Sequence, residues 1–458
     1  SGSNFLIILL IGSSKILNNY MTLRNFFICL FIVTLFSCEI NSNKDYKIIE
    51  ISKEKYADQL YGFWLGQLIA NWTGLITEMD KIGNIGEVKT GEFYTRNDWG
   101  KTDQRSIWED ESVSKSDVKI DYVFRDKDEL WGSDDDTDIE YMYQYLLNFY
   151  ETSILTPSQI RAGWLKHIKK EEENFLWVSN QRAFDLMIEG ILPPETSDPS
   201  LNENFEMIDA QLTTEIFGLF SPTRPDISIK MAELPITTTA RDEAKEISEF
   251  YIRMHSLASM PIHINDMKDK IFWLAEKSRT ALNDEKYPAK MYDYVKGLYY
   301  SNIKWESARD SIYNRYQVKQ EDDYDITSRE LYCNGCFAAG INFASSLVSL
   351  FFGEGDLKET IKIGTLSGWD SDNPTSTWGG LIGFMIGKSG VEKAFKREFS
   401  NKFNIHRTRQ NFPNDGIDTF ENMANEGLKI IDRVVMDELN GIIDEGDNLW
   451  LIPVNNLK

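Results

Sequence analysis

Residues 368–387 of the chain are GWDSDNPTSTWGGLIGFMIG, an acidic turn followed by an apolar segment with regularly spaced glycines. Gly379, Gly383 and Gly387 recur every four residues, so a helix would place them on one face that a neighbouring backbone can approach closely. Glycine inside a helix costs about 1 kcal/mol relative to alanine. A stripe of this kind therefore favours a tightly packed central helix.

A second stretch has the same two parts in the opposite order. Gly62, Gly66 and Ala70 are also spaced by four residues, and the polar turn 71–74 and then Glu78 follow them. We interpret both stretches as buried core helices, each flanking a polar turn.

Helical periodicity also dominates the remainder of the chain, and few segments alternate apolar and polar residues. We therefore predict an all-α, compact multi-helix globule. The polar, charged stretch 80–130 is predicted to be a long loop or insertion that could form part of a substrate cleft. The predicted helices are 56–70, 139–150, 157–176, 183–189, 240–259, 266–281, 288–302, 331–352, 357–363, 375–386 and 419–436.

Composition limits the function classes. The chain has 458 residues, of which 42% are hydrophobic and 13% aromatic, so it can bury a sizeable core. Its formal net charge of −23 argues against nucleic acid as a partner, since no basic patch offsets it.

A second acidic cluster, Ser133-Asp134-Asp135-Asp136-Thr137, lies far from the first one in the chain. Each cluster alone is also typical of a helix N-terminus, where carboxylates cap free amides. Adjacent carboxylates repel one another, and a fold that gathers five of them needs a cation. Because a glycine precedes each cluster and Glu78 follows the first glycine-striped helix, we interpret the clusters as two halves of one metal site. Oxygen ligands without histidine or thiolate favour magnesium, calcium or manganese.

These three motifs resemble those of the ADP-ribosylglycohydrolase family, which includes the dinitrogenase reductase-activating glycohydrolase. The similarity extends from about residue 56 to about residue 436. The glycine-rich helix with a glutamate seven residues after its end matches residues 62–78. The Thr-Asp-Asp-Thr motif matches residues 134–137, and the Gly-x-Asp-x-Asp-Thr motif matches residues 368–373.

The resemblance implies an all-α fold with a dinuclear metal site in a cleft, formed by a single catalytic domain over residues 54–458. It implies two divalent cations, Mg²⁺ first, with Mn²⁺ or Ca²⁺ as alternatives. Glu78, Asp135 and Asp136 would be catalytic, and Asn71, Gly368 and Trp369 would contact the substrate. The implied metal ligands are Asp134, Asp135, Asp136, Asp370, Asp372 and Asn373.

Three positions depart from the family pattern. Asn71 replaces the common aspartate, Asp134 replaces the common threonine, and Asn373 replaces a threonine ligand. Asn373 can still offer a carbonyl oxygen to a hard cation, so we expect metal binding with altered affinity.

The N-terminal region predicts location. Residues 21–38 have a short basic start, an apolar core and Leu35-Phe36-Ser37-Cys38, which resembles a bacterial lipobox. We expect lipid on Cys38, a polar tether over residues 39–53, and a lipid-anchored protein of the cell envelope, at the outer membrane or its periplasmic face. An ordinary cleaved signal peptide or a membrane anchor is the alternative. We interpret residues 1–20 as upstream or appended sequence.

Cys333 and Cys336, spaced as Cys-Asn-Gly-Cys, lack the further soft ligands that a zinc site needs. Helical packing or a local disulfide is favoured over redox catalysis.

The predicted function is that of a divalent-metal-dependent glycosyl hydrolase, cleaving an N- or O-glycosidic bond at a furanosyl sugar. The expected substrate is an ADP-ribosyl compound, a nucleoside or a carbohydrate. A true ADP-ribosyl-acceptor hydrolase with the same site is one reading of this prediction. The alternative from another class is a non-catalytic glycan- or ligand-binding lipoprotein on the same fold. The costly carboxylate cluster favours an enzyme.

Overall fold

The computed structural model describes residues 46–104, 118–170 and 172–455. Residues Ile48–Val454 form a compact unit that contains the functional motifs. The predicted signal peptide, Cys38 and the first part of the predicted tether lie outside the described residues.

The described residues are mostly helical, which confirms the all-α prediction. The α-helices are α1 (Lys53–Gly74), α2 (Asp135–Phe149), α3 (Pro157–His167), α4 (Val178–Glu189), α5 (Asp209–Leu212), α6 (Ile216–Phe220), α7 (Pro225–Ile236), α8 (Asp242–Ala258), α9 (Met267–Arg279), α10 (Tyr287–Tyr300), α11 (Trp305–Ile312), α12 (Ala339–Gly353), α13 (Leu357–Ser367), α14 (Asp372–Phe395) and α15 (Phe420–Asp437). The strands are β1 (Tyr46–Ser52), β2 (Trp131–Gly132), β3 (Lys402–Asn404), β4 (Ile417–Thr419), β5 (Ile442–Asp444) and β6 (Leu449–Asn455).

The two glycine-striped helices, α1 and α14, pack directly against each other in the core. A Cβ atom on Gly62 would overlap the carbonyl oxygen of Gly383, and one on Gly66 would overlap that of Gly379. The residue numbers rise along α1 as they fall along α14 in these pairs, so the two helices are antiparallel. This confirms the prediction that a neighbouring backbone can approach each glycine stripe closely. The two stripes pack against each other.

This packing brings two distant polar turns together. The C-terminal end of α1, at Gly74, meets the N-terminal end of α14, at Asp372. The hydroxyl of Ser371 donates to the carbonyl oxygen of Gly74 at 3.0 Å. Residues 71–78 and 370–373 therefore face one another.

A small sheet positions the second acidic cluster. Strands β2, β3 and β4 are neighbours in that order, with β2 parallel to β3 through Trp131 opposite Phe403. The hydroxyl of Thr137 accepts a hydrogen bond from the Asp134 amide at 3.0 Å and so caps α2. The Ser133 hydroxyl donates to the Ile405 carbonyl at 3.1 Å, which anchors the start of α2 to the chain that follows β3.

Several predicted boundaries are wrong. The chain leaves α3 at Ile168, which has extended dihedrals, rather than at residue 176. Helix α12 begins at Ala339 rather than at residue 331, because Cys333 and Gly335 have left-handed φ values of 45° and 76°. No helix was predicted over α7, although Pro225 suits a first helical turn. The short helices α5, α6 and α11 were not predicted either.

The predicted tether 39–53 is wrong at its end. Tyr46–Ser52 forms β1, which lies beside β6 in a sheet ordered β1, β6, β5, and Ile49 and Ile51 are buried. The ordered domain therefore starts before residue 54. Among the helices of the described ranges, none is both long and apolar enough to cross a membrane.

The stretch 80–130 is a loop over its described parts, 80–104 and 118–130, with one 3₁₀ turn at Arg96–Asp98. Arg96 forms an ion pair with Glu306 of α11 at 2.6 Å, which attaches this loop to the helical core.

Candidate metal centre

The carboxylates of the two acidic clusters meet in the folded chain. Oxygen atoms of Asp134, Asp135, Asp136 and Asp372 lie within 4.8 Å of one another, and those of Glu78, Asp370 and Asp372 form a second such group. Asp372 belongs to both groups, so the six carboxylates form one continuous cluster. The structure thus brings together the acidic residues that the sequence analysis placed in one site.

The cluster has a buried side and an open side. Asp134, Asp136, Asp370 and Asp372 are buried, whereas Glu78 and Asp135 are only half-buried. Glu78 and Asp135 are therefore the least buried residues of the cluster.

Burial and mutual repulsion make the charged state of this cluster costly. Burial, followed by the charges of Asp372 and Asp135, raises the pKa of Asp136 well above its usual value. Burial and the charges of Asp370 and Asp134 act likewise on the pKa of Asp372, and burial with Asp372 and Asp134 raises the pKa of Glu78. A bound cation would remove this cost.

Asn71 lies beneath the carboxylates. Its Nδ2 atom donates to Asp134 at 3.3 Å, to Asp136 at 3.4 Å and to Asp372 at 3.3 Å. Its side chain is completely buried, and Oδ1 has no hydrogen-bond partner. The predicted substrate contact for Asn71 does not fit this position, and we assign it the role of orienting three carboxylates.

Asn373 also reaches the cluster as a donor. Its Nδ2 atom donates to Asp136 Oδ1 at 2.9 Å. An amide nitrogen has no free lone pair for a cation, so this arrangement differs from the predicted carbonyl ligand. Asn373 acts with Asn71 in holding Asp136.

Arg407 was not predicted from the sequence and forms an ion pair with Asp134 of the second cluster. Its Nη1 atom donates to the Ser133 carbonyl at 2.6 Å and to Asp134 Oδ1 at 2.8 Å. The guanidinium carbon lies 4.9 Å from the Trp72 ring centre and 5.2 Å from that of Phe175. Asp134 is thus paired with a positively charged side chain, whereas the hydrogen-bond donors on Asp136 and Asp372 are neutral amides.

Gly368 and Trp369 shape the turn and lie away from its ligand side. Gly368 has a φ of 94°, and a Cβ atom there would overlap the Lys81 carbonyl oxygen. The Trp369 indole is completely buried, and its Nε1 donates to Gln317 at 2.8 Å. The predicted substrate contact of Trp369 is therefore corrected to a core position.

Asn342 of α12 fixes the backbone at Asp370. Its Oδ1 atom accepts from the Asp370 amide at 3.2 Å, and its Nδ2 atom donates to the Cys336 carbonyl at 2.9 Å. Cys336 forms a disulfide with Cys333, as the local-disulfide alternative predicted. The disulfide loop is thus linked through one side chain to a cluster residue.

A second polar layer lies one helical turn deeper. It contains Gln67, Glu140 and Thr377. Each lies four residues along its helix from Asn71, Asp136 and Asn373, respectively. The Gln67 amide donates to Glu140 at 2.7 Å, and the Thr377 hydroxyl donates to Glu215. Burial and the charge of Glu215 raise the pKa of Glu140 well above its usual value.

The donor set fits hard divalent cations. Every ionisable group of the cluster is a carboxylate, and Asp372 Oδ1 is buried without a hydrogen-bond partner. Carboxylate oxygens are the preferred ligands of Mg²⁺, Mn²⁺ and Ca²⁺. The cluster can therefore hold metal ions.

A family model described as ADP-ribosylglycohydrolase matches residues 52–426, which is most of the chain. The chain belongs to the ADP-ribosylglycohydrolase family. A solved structure described as an ADP-ribosylglycohydrolase-related protein complex is 14% identical, covering 82% of this chain and 98% of that chain with a TM-score of 0.46. No curated protein matches the chain. Membership of the ADP-ribosylglycohydrolase family supports a hydrolase-type enzyme.

Proposed function

We propose that the chain is a divalent-metal-dependent glycosyl hydrolase that cleaves an N- or O-glycosidic bond at a furanosyl sugar. The observation that carries this proposal is the convergence of Asp135, Asp136, Asp370 and Asp372 with the half-buried Glu78. Glu78 is one of the two least buried residues of the cluster, so it is suited to meet a substrate there.

Asp135, Asp136, Asp370 and Asp372 would hold two divalent cations, with Mg²⁺ the first candidate and Mn²⁺ or Ca²⁺ as alternatives. When bound, such ions act as Lewis acids and lower the pKa of coordinated water. Asn71 and Asn373 keep Asp136 in place by hydrogen bonds to its two oxygens.

Glu78 has the position and the environment of a general base or a substrate-orienting group. It lies on the open side of the cluster, and its raised pKa brings proton transfer closer to neutral pH. Its charge would also stabilise the positive, oxocarbenium-like transition state of glycoside cleavage.

The substrate proposal follows from the proposed location. With lipid on Cys38, the domain would lie in the cell envelope, where an extracytoplasmic nucleoside or carbohydrate is a better candidate than a cytosolic ADP-ribosylated protein. The lipobox-like segment 35–38 supports this location.

The test is hydrolysis by the chain from Glu39 onward, with Mg²⁺, Mn²⁺ or chelator, on ADP-ribosyl-peptides, nucleosides and aryl furanosides. Metal-dependent release that Glu78→Gln abolishes, with metal binding unchanged, would support the proposal. Ligand binding without turnover in both proteins would contradict it and would support a non-catalytic binding protein.

A further inference from the structure

A pocket of about 220 Å³ opens along the C-terminal half of α2, away from the metal centre. Residues 141–149 of α2, residues 413–418 and the start of α15 line it. Asp136 and Asn148 are twelve residues apart on α2, which corresponds to about 18 Å at 1.5 Å per residue. The far end of the pocket is thus well separated from the carboxylate cluster.

One wall of the pocket is aromatic. The rings of Tyr145 and Phe149 are stacked, with centres 6.0 Å apart and an angle of 18° between their planes. Phe149 is 58% exposed, an unusual position for so large an apolar ring. Phe149 therefore presents apolar ring surface at the mouth of the pocket.

The inner end of the pocket is formed by a fixed side chain. Gln144 is only 3% exposed, and its Nε2 atom donates to the Met423 carbonyl at 3.0 Å. Its Oε1 atom is shielded from solvent, so Gln144 bounds the pocket without offering an acceptor to a ligand.

Two ordered carboxylates form the opposite wall. Asp418 accepts from the Tyr141 hydroxyl at 2.8 Å and from Asn422 Nδ2 at 2.9 Å. Glu426 accepts from Asn148 Nδ2 at 2.9 Å. These bonds fix the acceptors in place, and each carboxylate can accept further hydrogen bonds from a ligand.

The chemistry of these walls excludes several ligand classes. Asp418 and Glu426 would repel an anion. An amine is disfavoured because Lys429 already pairs with Glu426 at 2.5 Å and Lys166 already lies 5.2 Å from the Phe149 ring centre. A purely apolar ligand would desolvate both carboxylates without giving them new hydrogen-bond partners.

We propose that this pocket is a binding subsite for one neutral sugar ring of a glycan. A pyranose combines an apolar face, which suits the exposed Phe149 ring, with hydroxyl donors for Asp418 and Glu426. A cavity of about 150 Å³ holds a benzene ring, so a pocket of about 220 Å³ accommodates a single six-membered ring. The subsite does not depend on the proposed hydrolysis.

Saturation-transfer NMR with the chain from Glu39 onward tests this subsite. The probes are the methyl glycosides of glucose, galactose, mannose and N-acetylglucosamine, with methyl glucuronide as the anionic comparison and methyl glucosaminide as the cationic one. All samples contain EDTA, so a failed metal centre would not affect the result. We expect at least one neutral glycoside to show saturation transfer and to bind more tightly than both charged probes.

Phe149→Ala removes the exposed ring and should weaken that binding roughly fivefold or more. Tyr300→Ala is the matched control, because Tyr300 is a 62% exposed aromatic residue on α10 outside the pocket. Circular dichroism verifies that both variants fold. Absence of any neutral glycoside signal that depends on Phe149, or preference for a charged probe, would overturn the proposal.

Discussion

Gly74 lies so close to Asp372 that a methyl group on residue 74 would overlap the Asp372 Cα atom. The end of α1 and the start of α14 are therefore in backbone contact at the residue that belongs to both carboxylate groups. The position of Asp372 therefore depends on the absence of a side chain at Gly74, which lies much earlier in the chain.

Gly74→Ala should consequently displace Asp372, lowering the thermal midpoint and the additional stabilisation by Mg²⁺ or Mn²⁺. Thermal unfolding with and without each metal measures both effects. Gly297→Ala is the control, because Gly297 lies in α10 with open space around it and alanine there should be neutral or stabilising. Equal metal responses in Gly74→Ala and the parent would contradict the prediction.

The carboxylates should contribute unequally to metal binding. Asp372→Asn should abolish the metal-dependent rise in stability, which is about 2.7 kcal/mol at a hundredfold excess over Kd. Asp134→Asn should retain much of it, because Asp134 is already engaged by Arg407 and Asn71. Metal titrations followed by thermal unfolding rank the variants, with exposed Asp437→Asn as the control. The reverse ranking would show that Asp134 is the principal ligand.

Arg407→Gln should have opposite effects on the metal-free and metal-bound protein. Loss of the ion pair to the buried Asp134 should lower metal-free stability by about 1 kcal/mol, a modest value because Arg407 is one-third exposed. Loss of a positive charge beside the cluster should raise affinity for divalent cations severalfold. Calorimetric titration with Mn²⁺ measures the second effect, and a lower affinity would mean that Arg407 preorganises the site.

The deeper layer predicts a pH dependence of stability. Burial raises the pKa of Glu215 to about 8, so folding favours its protonated form. The stability that protonated Glu215 contributes is fully present below the unfolded-state pKa of 4.5 and is lost as the pH rises through about 8. Glu215→Gln is neutral at every pH, so its free energy of unfolding should fall less over this range than that of the parent. The two should differ by up to roughly 1.4 kcal/mol per pH unit.

Urea unfolding in EDTA at pH 5 to 8 measures this difference. Glu189→Gln, which alters an exposed glutamate at the end of α4, controls for the substitution itself. Parallel pH profiles of parent and Glu215→Gln would show that Glu215 titrates normally.

Local patterns predicted the main helices and both acidic turns, because periodicity, caps and glycine spacing are properties of neighbouring residues. They did not predict that the two glycine stripes face each other, since either could have packed on another helix. Arg407 has no local signature, and its contact with Asp134 spans 273 residues. Glu140 in α2 and Glu215 in the turn before α6 resemble ordinary charged positions in the sequence, and only the fold buries them.

Proximity to a motif was also misleading. Trp369 directly precedes a cluster residue, but its left-handed backbone, with a φ of 57°, accompanies an indole buried in the core. Residues 331–338 contain apolar groups at helical spacing, yet the disulfide between Cys333 and Cys336 closes a tight loop there.

The amides and Arg407 around the carboxylates have a consequence for the order of assembly. Asn71, Asn373 and Arg407 give Asp134, Asp136 and Asp372 hydrogen-bond donors from the chain itself. Protons retained by carboxylates of raised pKa reduce the remaining charge. We expect the polypeptide to complete its fold first and to take up cations afterwards, so that metal supply would govern when the protein matures rather than whether it folds.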